Sequence, residues 1–183
     1  MDRYRVAIIG LGRISSTIDD EVIGNSAVML PFSHMGCYRE VPRVEVVAGV
    51  DPYQEQRDDF TKRWGVTNVY ADYRELLERE RPDIVSVATS AKPRPTIVID
   101  CARAGVRAIL AEKPMAFSLA ETDAMIDACR EHGTILAVGC TRRWDAYWNA
   151  ARALIDAGEI GKVLQVTAYG RAGISHHGSH LID

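Results

Sequence analysis

The chain opens with a short apolar run, Val6 to Ile9, that stops at two glycines separated by one residue, Gly10 and Gly12. The run is too short for a helix and does not alternate, so it predicts a strand buried on both faces, as in a parallel sheet flanked by helices. The same texture returns at Val44–Val50, Val69-Tyr70, Ile84–Ala88, Ala108–Ala111 and Ile135–Val138. Helical spacing fills the intervals. Gln54 to Trp64 places Phe60 and Trp64 on one side and charge on the other, with Gly65 to stop it. Asp72 caps a helix from Tyr73 to about Arg79, and Thr96 to Ala104 runs up to Gly105. Ser118 and Glu121 make a capping box for a helix reaching His132. A short helix is expected after Ser15, then an irregular, polar insertion from Asp19 to Pro31, then a helical turn from Ser33 to Glu40.

Strands and helices alternating with short loops predict an α/β fold, a Rossmann-type doubly wound parallel sheet over residues 1–140. Ligands of such sheets sit at the carboxyl ends of the strands, where Gly10, Asp51, Thr89 and Lys113 all fall. From Thr141 the texture changes. Asp145 caps a helix reaching Ala157, Val163 to Tyr169 reads as a strand, and Gly178 to Asp183 as a helix start. One strand with its helix cannot close a core. Residues 141–183 are therefore expected to begin an α/β second domain that is incomplete, or that another chain completes.

Composition narrows the class. Among 183 residues the net charge is −3, which gives no electrostatic case for nucleic acid or an anionic membrane. No apolar run is long enough to cross a bilayer, and no targeting signal opens the chain. The four cysteines, Cys37, Cys101, Cys129 and Cys140, form no CxxC pair, so they read as reduced residues rather than a disulfide frame or a metal site. A soluble cytoplasmic protein without a metal is expected.

Four places could carry chemistry. Gly10 allows a tight turn, and Gly12, lacking Cβ, lets a pyrophosphate approach the N–H groups that follow; Ser15 stands where the dinucleotide fingerprint has its third glycine. The other reading is a plain turn. Asp51 can accept hydrogen bonds from ribose hydroxyls, or simply form an Asp-Pro turn; Arg13 can counter phosphate charge, or be a surface cation. Glu112-Lys113-Pro114 puts an ammonium at a strand end, suited to polarising a carbonyl, against the alternative of an ordinary surface turn. His180 could take a proton from an alcohol, with Asp183 one helical turn on. Such His-x-x-Asp pairs are also common on surface helices. His34 and His132 read as surface or loop residues, and Trp144, Tyr147 and Trp148 as packing for an interface.

GLGRIS, the strand-end Asp51, VSVATS, GVRAILAEKPMAFSLAE and the closing GSHLID together resemble the glucose–fructose oxidoreductase and inositol dehydrogenase family (Gfo/Idh/MocA). The resemblance spans the chain. It implies an oxidoreductase using NAD, with NADP as the other possibility, and acting on a sugar, cyclitol or related polyol. Carried over by position, Gly10, Gly12 and Arg13 would hold the pyrophosphate with Ile14 beside them, and Asp51 the ribose. Thr89 and Glu112 would complete the cofactor-binding set. Lys113 would bridge nicotinamide and substrate, His180 would be the acid/base with Asp183 nearby, and Arg142, Arg143 and His176 would line the substrate pocket. The family implies a homo-oligomer where the second domain is complete. Two positions depart from the pattern: His176 stands where an aspartate often partners the catalytic histidine, and Arg94 where a histidine is usual. The chain also ends at GSHLID, before the large sheet that family members carry. The alternative function is a truncated or non-catalytic dinucleotide-binding protein, such as a cofactor sensor.

Overall fold

The computed structural model describes residues 3–25 and 28–167. Six parallel strands form one sheet: β1 (Tyr4–Ile9), β2 (Val44–Val50), β3 (Val69–Tyr70), β4 (Ile84–Val87), β5 (Ala108–Ala111) and β6 (Ile135–Val138). Their order is β3-β2-β1-β4-β5-β6. The order reverses between β2 and β4, so β1 lies at the switch point where a doubly wound sheet opens its ligand crevice.

The apolar runs behave as their texture requires. Residues Val6 to Ile9 are at most 2 % exposed, because helices cover both faces of β1. Ala7 and Ile9 join one core with Val85, Val87, Ile97, Val98 and Met125. Ile8 points the other way, with Leu11, Met35, Phe60 and Val66. That alternation follows from the two-residue period of a strand.

The helices are α1 (Arg13–Ser16), α2 (Ile18–Val22), α3 (His34–Arg39), α4 (Gln54–Trp64), α5 (Tyr73–Glu80), α6 (Arg94–Arg103) and α7 (Leu119–Glu131). Capping chemistry sets several of their starts. Asp72 accepts from the Arg74 N–H, and Ser118 with Glu121 forms the full capping box on α7. Several helix boundaries differ from expectation. The first helix begins at Arg13 rather than after Ser15, and α2 occupies part of the stretch expected to be irregular. Helix α6 starts at Arg94 because Pro95 sits in its first turn, where its missing N–H costs nothing.

Backbone contacts divide the chain into two units, Met1–Gly139 and Cys140–Asp183. In the second, a 3-10 turn (Thr141–Arg143) precedes α8 (Ala146–Asp156), whose Asp145 accepts from the Tyr147 and Trp148 N–H groups at 2.8 and 3.3 Å. Residues 163–167 are not in a strand. The remainder of that expected strand, and the expected helix start at Gly178, lie outside the described residues.

Candidate functional site

The carboxyl ends of β1, β2, β4 and β5 gather the candidate residues of the first unit. At β1 the sheet holds right up to the turn: the Gly10 N–H donates to Val50 O at 2.7 Å, and the Ala88 N–H to Ile9 O at 2.8 Å. Gly10 has φ +92°, and a Cβ there would stand 3.0 Å from the Ala88 carbonyl carbon and the Thr89 nitrogen. Only glycine serves this corner. Gly12 differs: its φ is −74°, and a Cβ would meet nothing within 4 Å. The N–H groups of Gly12, Arg13 and Ile14 have no hydrogen-bond partner among the described residues. Ser15, fully buried, donates its hydroxyl to Gly10 O and so braces the turn from beneath.

An open, donor-lined space over a glycine is what a pyrophosphate needs, so the residues present fit one. Helix α1 is a single turn and carries little macrodipole, so the local N–H groups would have to do the binding. Arg13 points its Nε at Glu21 of α2, 2.7 and 2.8 Å from the two carboxylate oxygens. Ile14 is half-buried beside it.

Asp51 closes β2 and is 7 % exposed. Its Oδ2 accepts from the Leu11 N–H at 2.9 Å, and its Oδ1 from the Tyr53 N–H at 3.0 Å. The second bond is the Asp-Pro turn of the simpler reading. The first ties the end of β2 to the glycine turn. Each oxygen keeps a lone pair, so the carboxylate can still accept ribose hydroxyls.

At β5, Glu112 and Lys113 divide their tasks. Glu112 is 9 % exposed, and Lys113 is exposed with no ion pair among the described residues. The Glu112 Oε2 accepts from the Lys113 N–H at 3.1 Å, and Oε1 lies 3.1 Å from His34 Nε2. On the other side of the ring, His34 Nδ1 is 3.0 Å from Ser86 Oγ, which is 2.8 Å from the Tyr38 hydroxyl. Burial pushes the Glu112 carboxyl up. The hydrogen bond from His34, with the Lys113 N–H and the Lys113 charge, outweighs it and holds the group below its usual range. Burial also raises the Tyr38 phenol, which keeps its proton and stays a donor.

His34 therefore corrects the expectation of a surface residue: it is 8 % exposed and bonded to two strand ends. His132 is exposed, as expected. Arg94 is also buried, at 1 % exposure, with its guanidinium donating to Thr89 O and Pro114 O and its Nε left without a partner. It joins the loops after β4 and β5. Thr89 itself is half-buried. The signal available for His34 was its place at the start of a helix after the polar insertion, but nothing in local spacing identifies partners on β4 and β5.

Arg142 and Arg143 lie in the second unit's 3-10 turn, both exposed, the latter 6.0 Å from the Trp144 ring centre. His176, His180 and Asp183 lie outside the described residues. Two open grooves, of about 550 and 760 Å³, sit at the opposite edge of the sheet, beside Arg5 and Arg39 and beside Arg81 and Arg107. Among the described residues no cluster could hold a metal ion, all four cysteines are free, and no helix is long and apolar enough to cross a membrane.

A family-wide profile described as "Oxidoreductase family, NAD-binding Rossmann fold" matches residues 4–140. The chain belongs to the Gfo/Idh/MocA family. Among curated relatives, it is 28 % identical to the myo-inositol 2-dehydrogenase of Thermotoga maritima, over 90 % of this chain and 45 % of that one. It is 30 % identical to the D-apiose dehydrogenase of Paraburkholderia graminis, over 87 % and 38 %. Among solved structures, the WlbA dehydrogenase of Bordetella pertussis in complex with NADH and UDP-GlcNAcA is 25 % identical. Its TM-score is 0.72, over 87 % of this chain and 44 % of that one. This Gfo/Idh/MocA chain spans half or less of the length of these relatives.

Proposed function

We propose that this chain forms the cofactor-binding part of an NAD-dependent oxidoreductase acting on a hydroxyl or keto carbon of a sugar, cyclitol or related polyol. One observation carries it: the open glycine turn, the Asp51 carboxylate and the Lys113 ammonium share one edge of the sheet around its switch point. The family, and relatives named for inositol and apiose, support the substrate class.

In this reading the N–H groups of Gly12, Arg13 and Ile14 hold the pyrophosphate, with Gly10 making the turn. Arg13 adds charge once released from Glu21. Asp51 accepts from the ribose hydroxyls, and its charge disfavours the 2′-phosphate of NADP. Thr89 and Glu112 border the nicotinamide end. When bound, the nicotinamide supplies or accepts a hydride. Lys113 places its positive charge where the substrate oxygen becomes negative, which favours the transition state over the ground state. His180 takes or gives the hydroxyl proton, with Asp183 nearby, and Arg142, Arg143 and His176 contact substrate. Residues 141–183 begin the substrate domain, through which a homo-oligomer assembles, and the protein works in the cytoplasm.

Titration with NADH and NADPH, followed by NAD+ reduction against a polyol panel, tests this. Tighter NADH binding that weakens in Asp51→Ala, and turnover lost in Lys113→Ala, are expected. Binding without turnover of any polyol favours the alternative, a dinucleotide-binding protein without catalysis. Binding of neither nucleotide ends both readings.

A further inference from the structure

His34 reaches the sheet from the far end of the excursion between α2 and α3, and its delivery is built with care. The Asp19 carboxylate accepts from the Phe32 N–H at 2.6 Å and the Ser33 N–H at 2.8 Å through Oδ1, and from Ser33 Oγ through Oδ2. Ser33 Oγ in turn accepts from the Gly36 N–H at 3.0 Å, opening α3. The residue so placed makes two buried polar contacts, to Ser86 and to Glu112.

Proton logic orients the whole chain of groups. An ionised carboxylate only accepts, so His34 Nε2 carries a proton and donates to Glu112 Oε1. With a neutral ring, Nδ1 accepts from the Ser86 hydroxyl, which leaves Ser86 Oγ to accept from Tyr38. Every member is satisfied, and a fully satisfied buried network fixes one geometry.

That geometry ends on Lys113. Each Glu112 oxygen has its own donor, His34 for Oε1 and the Lys113 N–H for Oε2, so turning the carboxylate away from His34 would also take it from the Lys113 amide. Packing restricts the carboxylate further: a Cβ at Gly139 would lie 2.5 Å from Oε1. On the far side of Lys113, the carbonyl of Pro114 is held by Arg94. The exposed ammonium thus stands on a backbone anchored both before and after it.

We propose that His34 is a positioning residue for Lys113, acting through the Glu112 carboxylate to hold the end of β5. The assignment rests on the role given to Lys113 above and adds a residue that touches neither cofactor nor substrate. His34→Ala removes the donor to Oε1; His34→Gln keeps an amide N–H at a similar reach without an imidazole. The test compares these variants, in the full chain, by amide hydrogen exchange of Lys113 without cofactor, and by NADH affinity and turnover per folded molecule. In His34→Ala the Lys113 amide is expected to exchange about tenfold faster. Its kcat is expected to fall about tenfold, while NADH affinity stays within about twofold, because only the reacting end loses its placement. His34→Gln restores most of both. Ser86→Ala, which strips the Nδ1 partner but leaves the ring, is the milder variant should His34→Ala fail to fold, and moves both readouts the same way. Unchanged exchange, unchanged kcat, or a His34→Gln as impaired as His34→Ala overturns the proposal. Failure of the functional reading has another signature: Lys113→Ala retains full turnover while the exchange effect of His34→Ala persists.

Discussion

Two glycines two residues apart serve different purposes, and substitution separates them. At Gly10 a side chain would combine φ +92° with a 3.0 Å approach to the backbone of residues 88 and 89, so Gly10→Ala is expected to cost about 1–3 kcal/mol or more in chemical denaturation. Gly12 has ordinary φ and empty space beyond it, so Gly12→Ala is expected to change stability by less than about 1 kcal/mol. Its effect belongs to the ligand: NADH affinity measured by calorimetry should drop while the melting temperature holds. Glu112 makes a pH statement. Its folded pKa lies below the ordinary 4.5, so its contribution is present above that value and is lost as pH falls through the folded value. Glu112→Gln should therefore flatten the acid limb of the stability curve below about pH 4.5, read by denaturant titration at each pH. Gly10 and Asp51 were legible as strand-end residues because each follows an apolar run at once, and Lys113 because it stands one residue past such a run. His34 was not: its partners Ser86 and Glu112 lie 52 and 78 positions away, and no local period records a tertiary hydrogen bond.

The strands were the easiest elements to read, since β2, β3, β5 and β6 match the runs expected for them residue for residue. Helices were readable where they were long and capped. The Ser118 hydroxyl and the Glu121 carboxylate satisfy each other's backbone donors at the start of α7. Ser118→Ala is expected to cost about 1 kcal/mol, checked by urea denaturation. Short pieces escaped. Helix α2 spans five residues, less than two turns, so no amphipathic period can develop, and Thr17 before it makes no side-chain cap that would mark its start. Prolines misled in the other direction. The helix expected from Thr96 already holds Pro95 in its first turn, and the resulting earlier start carries Arg94 into the interior.

For the whole first unit, burial on both sides of β1 means that stability is shared between two apolar layers. Phe60 is the large residue of the layer with Ile8, Leu11 and Met35, and Phe60→Ala is expected to cost about 3–5 kcal/mol in thermal or chemical unfolding. Three of the thiols report burial directly. Burial pushes the thiols of Cys101 and Cys129 up, so both should resist a thiol reagent at mild alkalinity until the protein unfolds, whereas exposed Cys140 should react in the native state. The second unit is a different case. Tyr147, Trp148 and Leu154 of α8 are all more than half exposed, a surface texture unlike that of the first unit. The helix of this unit was legible from Asp145, but residues 163–167, apolar enough to read as a strand, do not pair as one. A strand needs neighbours, and periodicity cannot supply them. The Asp19 clasp on Phe32 and Ser33 has a practical consequence. Because it pins both ends of the excursion together, the closure cost of the chain between them grows only by about 0.6 kcal/mol per doubling of length. Extra residues spliced in after Gly24 should leave His34 seated, which makes this excursion a natural attachment point for a fluorophore or an affinity tag.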